Sequence, residues 1–223
     1  GVVVYNRSDD SEECVLERFI SSRCAGKRIW GAQDPGQFVD NLCPPRKILI
    51  MVMAGMPVDI VLEQLTAYLE PGDIIIDGGN SHYRDTDRRM NQLAGLGINF
   101  IGCGISGGYN GALNGPSLMP GGSRQAWDYV REMLQAIAAR TDDGSPCCEW
   151  IGPGGAGHFV KMVHNGIEYA LMQMLAEVYD IMVRLLNMDN DQIAEIFSAW
   201  NSARLQSYLL GITVEILKKH DED

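Results

Sequence analysis

Positive charge is scarce in this chain of 223 residues: Lys and Arg number 18 against 29 Asp and Glu, a net charge of −11. So acidic a chain repels polyanions, which excludes a broad basic face for DNA or RNA. Any phosphate it binds must be held by a local cluster against that field. Long apolar runs are also absent. The run from Ile48 through Ala54 has strand length, far short of the roughly twenty residues of a membrane helix. No basic segment followed by an apolar one opens the chain, so neither a secretory signal nor a membrane partner is expected. The 4 histidines and 6 cysteines show no CxxC pair and no metal-like spacing, so no metal site is expected. Reduced thiols and a cytoplasmic location follow as expectations. The chain opens without Met, inside the apolar run Val2 to Tyr5, which reads as a cut amino terminus.

Hydrophobic residues make up 46% of the chain, enough for one sizeable core or two modest ones. Short apolar runs alternate with amphipathic segments. Gly1–Tyr5, Ile29–Ala32, Lys47–Met53, Asp73–Asp77 and Asn99–Gly102 read as strands. Lys47–Met53 has the pattern of a strand buried on both faces, and Asp73–Asp77 reads as another buried strand. Segments 9–22, 35–42, 58–69 and 85–96 read as helices between them. This alternation predicts an α/β fold, a Rossmann-like doubly wound parallel sheet with helices on both faces. Ligands on such sheets sit at the carboxyl ends of the strands. Small and polar residues recur there: Asn6-Arg7-Ser8, Ala54-Gly55, Gly78-Gly79-Asn80 and Gly104 to Gly108.

After Ile151 the character changes. Gly152 to Gly157 is a glycine-rich joint, and residues 158–186 hold apolar residues at spacings of three and four. That pattern predicts one long helix, followed by a helix capped by Asp189, Asn190 and Asp191 that runs through Trp200, and another over 205–218. The expected domains are 1–152, α/β, and 153–223, all-helical.

The start of the long helix is the richest in chemistry. Lys161, His164, Asn165 and Glu168 fall at i, i+3, i+4 and i+7 and share one face. Val160, Val163 and Ile167 are expected to point into the core. Such a polar face can flank a small substrate, or it can be a solvated face with an ordinary charge pair. A lysine serves as a base only when its pKa falls toward neutrality, and a helix amino terminus pushes that way. The Ser106-Gly107-Gly108 turn can offer amides and a hydroxyl to an anion. At the end of the first strand stand Asn6, Arg7 and Ser8 with no acidic residue among them. In a dinucleotide fold that favours the 2′-phosphate of NADP over the ribose of NAD.

Together these stretches resemble the 6-phosphogluconate dehydrogenase family, decarboxylating and NADP-dependent. The matching segments are Asn6 to Ser8, Asp77 to Ser81, Ile105 to Gly108, Gly115 to Gly122, Asp143 to Cys148 and Gly155 to Tyr169, in family order. The resemblance implies that Lys161 is the general base and Glu168 the acid of oxidative decarboxylation of 6-phosphogluconate. It implies Asn80, Ser106, Gly107, Gly108, His164, Asn165 and Tyr169 as substrate ligands. It implies Asn6, Arg7, Ser8, Val52, Met53, Ala54 and Asn80 as the NADP site, and a homodimer as the working form. It also implies that the first strand with its GxGxxG turn, and a carboxyl-terminal part, belong to the family but not to these 223 residues. Tyr109 and Asn110 stand where the family carries two acidic residues. Two other readings stay open. One is a truncated, catalytically silent member acting as a binding or dimerisation module. The other is a β-hydroxyacid dehydrogenase without decarboxylation, against which the 143–148 stretch argues.

Overall fold

The computed structural model describes residues 1–6 and 15–219. The chain divides into two units, Gly1–Met162 and Val163–Asp223.

In the first unit, β1 (Val2–Tyr5) and β2 (Ile29–Ala32) form a parallel pair with Val2 opposite Ile29. Helix α1 (Val15–Arg23) sets Leu16 and Ile20 beside Gly31 of β2. Helix α2 (Pro35–Asp40) starts with Pro, whose missing N–H is one that no helix start can satisfy. A separate sheet runs in the order β3 (Lys47–Ile50), β4 (Ile74–Asp77), β5 (Asn99–Ser106), β6 (Ser117–Gly122). Strands β3, β4 and β5 are parallel, while β6 runs antiparallel to β5. The described strands therefore form two sheets, one of them mixed, where strict alternation predicted one parallel sheet. A Gly-Pro pair after the short helix α5 (Gly108–Asn114) turns the chain straight back along β5, with no crossover helix to bring it round in parallel.

Side chains of β4 alternate between two cores. Ile75 packs with Ile48, Ile50 and Phe100 under Val58, Leu62 and Leu65 of α3 (Met56–Thr66) and Leu93 of α4 (Tyr83–Ala94). Ile74 and Ile76 pack with Ile101, Cys103 and Leu118 under Trp127, Val130 and Leu134 of α6 (Arg124–Ile137). Strand β4 is thus buried on both faces. Strand β3, expected to be buried in the same way, is not: Ile48 and Ile50 are buried, but Leu49 is exposed. Leu49 sits opposite Ile76 on the face that α6 covers, and α6 lies over β5 and β6 instead. Met51 and Met53 continue that exposed apolar row.

Helix α7 (Ala156–Arg184) spans the boundary between the units. In the second unit α8 (Asn190–Asn201) begins with a reciprocal capping box between Asp189 and Gln192. Helix α9 (Tyr208–Leu217) follows, capped by Ser207. Ile193, Ala194 and Phe197 of α8 close a small core with Leu210, Val214 and Leu217 of α9 and Met182 of α7. No helix among the described residues is long and apolar enough to cross a membrane. The described cysteines are all free, and Cys14 lies outside the described residues.

Candidate functional site

Three loops gather at the carboxyl ends of β3, β4 and β5, where α/β sheets bind ligands. The loop after β3 carries exposed Met53 between half-buried Val52 and Ala54. It turns at Gly55, whose φ of 91° suits a residue without Cβ, and space beyond that Cα is open.

The loop after β4 is tied down by its first residue. Asp77 is fully buried at the strand end. Its Oδ1 accepts from the Gly79 N–H at 3.0 Å, and its Oδ2 accepts from Ser81 Oγ at 2.6 Å. Asn80, between the two anchored neighbours, is exposed. A Cβ on Gly79 would come within 2.9 Å of the Val52 carbonyl oxygen, so this loop lies directly against the loop after β3.

Strand β5 runs on to Ser106, past the end expected at Gly102, because its pairing with β6 continues to Ser106 opposite Ser117. Gly107 and Gly108 then turn with φ of 140° and 56°, and α5 follows. Ser106 is half-buried and the two glycines are exposed.

Helix α7 enters this arrangement on a floor of main chain. A Cβ on Gly157 would lie 2.2 Å from the Met119 carbonyl oxygen and 2.3 Å from that of Gly102. One on Gly121 would lie 2.3 Å from the Gly157 nitrogen. With no side chains between them, the helix backbone rests on β5 and β6. The helix is also held from α4. Asp87 Oδ1 accepts from the Gly155 N–H at 2.8 Å, and the Tyr83 ring meets Phe159 edge-on at 5.3 Å.

This approach inverts the expected faces of α7. Val160, Val163 and Ile167 are 36%, 43% and 59% exposed. His158 and Lys161 are buried, Lys161 to 8%. Gly102 and Gly104 make room for them, since Cβ atoms there would come within 2.8 Å of His158 Nδ1 and 2.5 Å of Lys161 Cβ. The polar face is thus the one turned inward at the helix start. Among candidate residues of the first unit, Val52, Ala54, Asn80, Ser106 and Lys161 therefore all belong to elements that meet at these strand ends. In the second unit, His164 Nδ1 lies 3.3 Å from Asn165 Oδ1 and 3.8 Å from Glu168 Oε2 on α7, and Tyr169 is exposed. Asn6 closes β1 in the two-stranded sheet, and Arg7 and Ser8 lie outside the described residues.

Sequence reasoning assigned no role to the residues that brace these loops: Asp59, Asp77, Thr86, Asp87, Arg89 and His158. A signal was present on α4, where Thr86, Arg89 and Leu93 sit at i, i+3 and i+7 and all are buried. Two polar residues sharing the stripe of a core leucine imply partners inside. Thr86 Oγ1 lies 2.6 Å from His158 Nδ1. Burial pushes the His158 imidazole below its ordinary value, against the opposing pull of the Asp77 carboxylate. The unfolded chain therefore takes up that proton first as pH falls. The stabilisation is complete above about pH 6.5 and is lost progressively below it. Thermal melts from about pH 7.5 down to about pH 5 should show a falling midpoint, with a shallower slope in His158→Gln. An equal slope in the variant removes this histidine as the cause. Among the described residues no group of three or more His, Cys, Asp or Glu side chains is placed to hold a metal ion.

The comparisons agree with this architecture. The family profile described as the NAD binding domain of 6-phosphogluconate dehydrogenase matches residues 1–152. The profile of the C-terminal domain of 6-phosphogluconate dehydrogenase matches residues 157–223. The decarboxylating 6-phosphogluconate dehydrogenase of Treponema pallidum is 53% identical over 223 residues, covering 100% of this chain and 45% of that protein. The human enzyme of the same name is 49% identical over 208 residues, covering 93% of this chain and 43% of that protein. A solved Plasmodium falciparum 6-phosphogluconate dehydrogenase, described in its apo form and in complexes with NADP+ and with 6-phosphogluconate, superposes with a TM-score of 0.91. It is 40% identical, over 99% of this chain and 46% of that one. A Salmonella typhimurium 3-hydroxyisobutyrate dehydrogenase, 18% identical over 89% of this chain and 65% of its own, shares the fold with a TM-score of 0.69. The chain spans under half the length of the curated relatives it matches.

Proposed function

We propose, because the chain belongs to the 6-phosphogluconate dehydrogenase family, that the protein converts 6-phosphogluconate to ribulose 5-phosphate and carbon dioxide while reducing NADP. The observation that carries this reading is the inward-turned start of α7, which seats Lys161 against Gly104 beside the three strand-end loops. A lysine buried to that degree needs a reason other than solvation.

In this reading Lys161 takes the proton of the substrate 3-hydroxyl as hydride leaves C3. Bound NADP supplies the hydride acceptor. The resulting 3-keto acid loses carbon dioxide, and the protonated Lys161 returns a proton to the developing enolate oxygen, which favours the loss. Glu168, further along α7, then gives a proton to C1 of the enediol. Asn80, Ser106, Gly107, Gly108, His164, Asn165 and Tyr169 orient the substrate. The open edge at Val52, Met53, Ala54 and Gly55 fits an extended cofactor, since Gly55 has clear space above it. Residues 1–152 then act as the cofactor domain and 153–223 as the start of the helical one. The family resemblance extends the proposal to a cytoplasmic homodimer, and sedimentation of the purified protein checks the dimer.

The test is NADP reduction with 6-phosphogluconate and, in parallel, with 3-hydroxyisobutyrate, carbon dioxide being trapped and the intact mass measured on the same sample. Reduction with matching carbon dioxide release from 6-phosphogluconate alone is the expected result. NADPH binding without any turnover favours the silent binding module instead.

Cofactor choice has its own test. Arg7→Asp replaces a charge-assisted phosphate contact with repulsion and should weaken NADP about 100-fold while leaving NAD little changed. Fluorescence titration of the two reduced cofactors measures this, and an unchanged preference places the 2′-phosphate elsewhere.

A further inference from the structure

Arg89 has no exposed side-chain surface, yet its guanidinium is the hub of a hydrogen-bond network. Its Nε donates to Asp59 Oδ1 at 2.9 Å. Its Nη2 donates to Asp59 Oδ2 at 3.0 Å and to the Gly55 carbonyl at 2.8 Å. Its Nη1 donates to Ser81 Oγ at 3.2 Å and lies 3.6 Å from Asp77 Oδ2. Every donor nitrogen of the guanidinium is thus engaged. The hydrogen bond from Arg89 holds the Asp59 carboxyl well below the usual range, at about 2.

The partners fall into two groups. Gly55 and Asp59 belong to the turn after β3 and the first residues of α3, immediately beyond Val52, Met53 and Ala54. Asp77 and Ser81 flank Gly78, Gly79 and Asn80. One planar fork therefore spans the loops after two neighbouring strands. Ser81 Oγ spends its proton on Asp77, so its oxygen is free to accept from Arg89, and Asp77 in turn holds the Gly79 N–H. The chain of contacts closes around Asn80 and leaves that side chain facing outward.

A buried cation is not needed to hold such a loop pair together, since apolar residues of similar volume often stabilise as well. What only the fork provides is a fixed distance and angle between the two loops. We propose that Arg89 is a positioning residue that sets Asn80 against the Val52–Ala54 edge, and so sets the fit of substrate and cofactor to one another. This rests on the reading of Asn80 as a ligand to both. Lysine keeps the charge but carries its three donors on one nitrogen, without the planar fork that fixes the spacing of the two loops.

The test is Arg89→Lys with kinetics and NMR on the same protein. KM should rise about tenfold for both 6-phosphogluconate and NADP, with kcat changing less, because displaced ligating groups lose the bound geometry. Asn80→Ala combined with Arg89→Lys should lose no more than about twofold beyond Asn80→Ala alone, since the arginine acts through the asparagine. Independent, multiplying losses overturn the proposal, as does unchanged KM in a folded variant. Should Arg89→Lys fail to fold, Ser81→Ala removes one link of the bridge and is expected to raise KM for 6-phosphogluconate. Unchanged KM there overturns it too. Backbone relaxation of Gly79, Asn80 and Ser81 gives an answer that needs no turnover. Their order parameters should fall in the variant, and equal values overturn the proposal even in a protein with another substrate. Absence of turnover in the unaltered protein, with order parameters that do fall, overturns the functional reading alone.

Discussion

Lys161→Met should abolish the oxidation while leaving the protein folded and able to bind NADPH. A positioned general base contributes about 10²- to 10⁴-fold, and the proposed lysine acts twice, so kcat should fall by at least about 10³-fold. Methionine is the informative replacement. It is unbranched, close to the lysine stem in length, and apolar, so it fills the seat against Gly104 without leaving a cavity. The protein should therefore stay folded, with an ordinary cooperative melt, as activity disappears. Initial-rate kinetics, NADPH fluorescence titration and a thermal melt on one preparation check all three parts. Near-normal turnover would remove Lys161 as the base. Loss of turnover with loss of folding would make its role structural.

Gly157→Ala should be severely destabilising although alanine is the best helix former. Propensity alone favours alanine over glycine by up to about 1 kcal/mol in a helix. Against it stand contacts of 2.2 Å to the Met119 oxygen, 2.3 Å to the Gly102 oxygen and 2.7 Å to the Gly121 nitrogen. All three are main-chain atoms of paired strands and cannot swing aside as a side-chain tip would. Overpacking of this kind costs about 3 kcal/mol or more, so the backbone term wins. At this chain length the melting temperature should drop by about 6–12 °C. Gly166→Ala in the same helix is the control. Nothing lies within 4 Å of a Cβ there, so it should be neutral or mildly stabilising. Equal melting temperatures for the two variants would mean that α7 does not rest on the strands as described.

Much of the fold was legible because it depends on local pattern. The run Ile74-Ile75-Ile76 marked the doubly buried strand, and the long apolar repeat after Gly157 marked α7. Helix α6 was passed over, though Ser123 caps it and Trp127, Val130 and Leu134 share one stripe. The two errors of burial have one cause. Periodicity groups residues onto a face but does not say which face is covered. Leu49 looked like core and is exposed, because α6 lies elsewhere. Val160 looked like core and is exposed, because glycines at 102 and 104 admit His158 and Lys161 on the opposite face of α7. The candidate site was legible in its motif residues. Its braces were not, since Arg88-Arg89 in sequence are two alike cations on a polar helix. Only the structure separates exposed Arg88 from buried Arg89.

The floor beneath α7 also bears on inheritance. Main-chain atoms are the same for every residue type, so the depth of Lys161 is gauged against something substitution cannot alter. It depends on the lack of a Cβ at Gly102, Gly104, Gly121 and Gly157, and little on which side chains surround them. A lineage can therefore exchange a large share of its surface and core and still deliver the same ammonium to the same place. Its freedom is wide nearly everywhere and close to nil at four positions that carry no chemistry of their own.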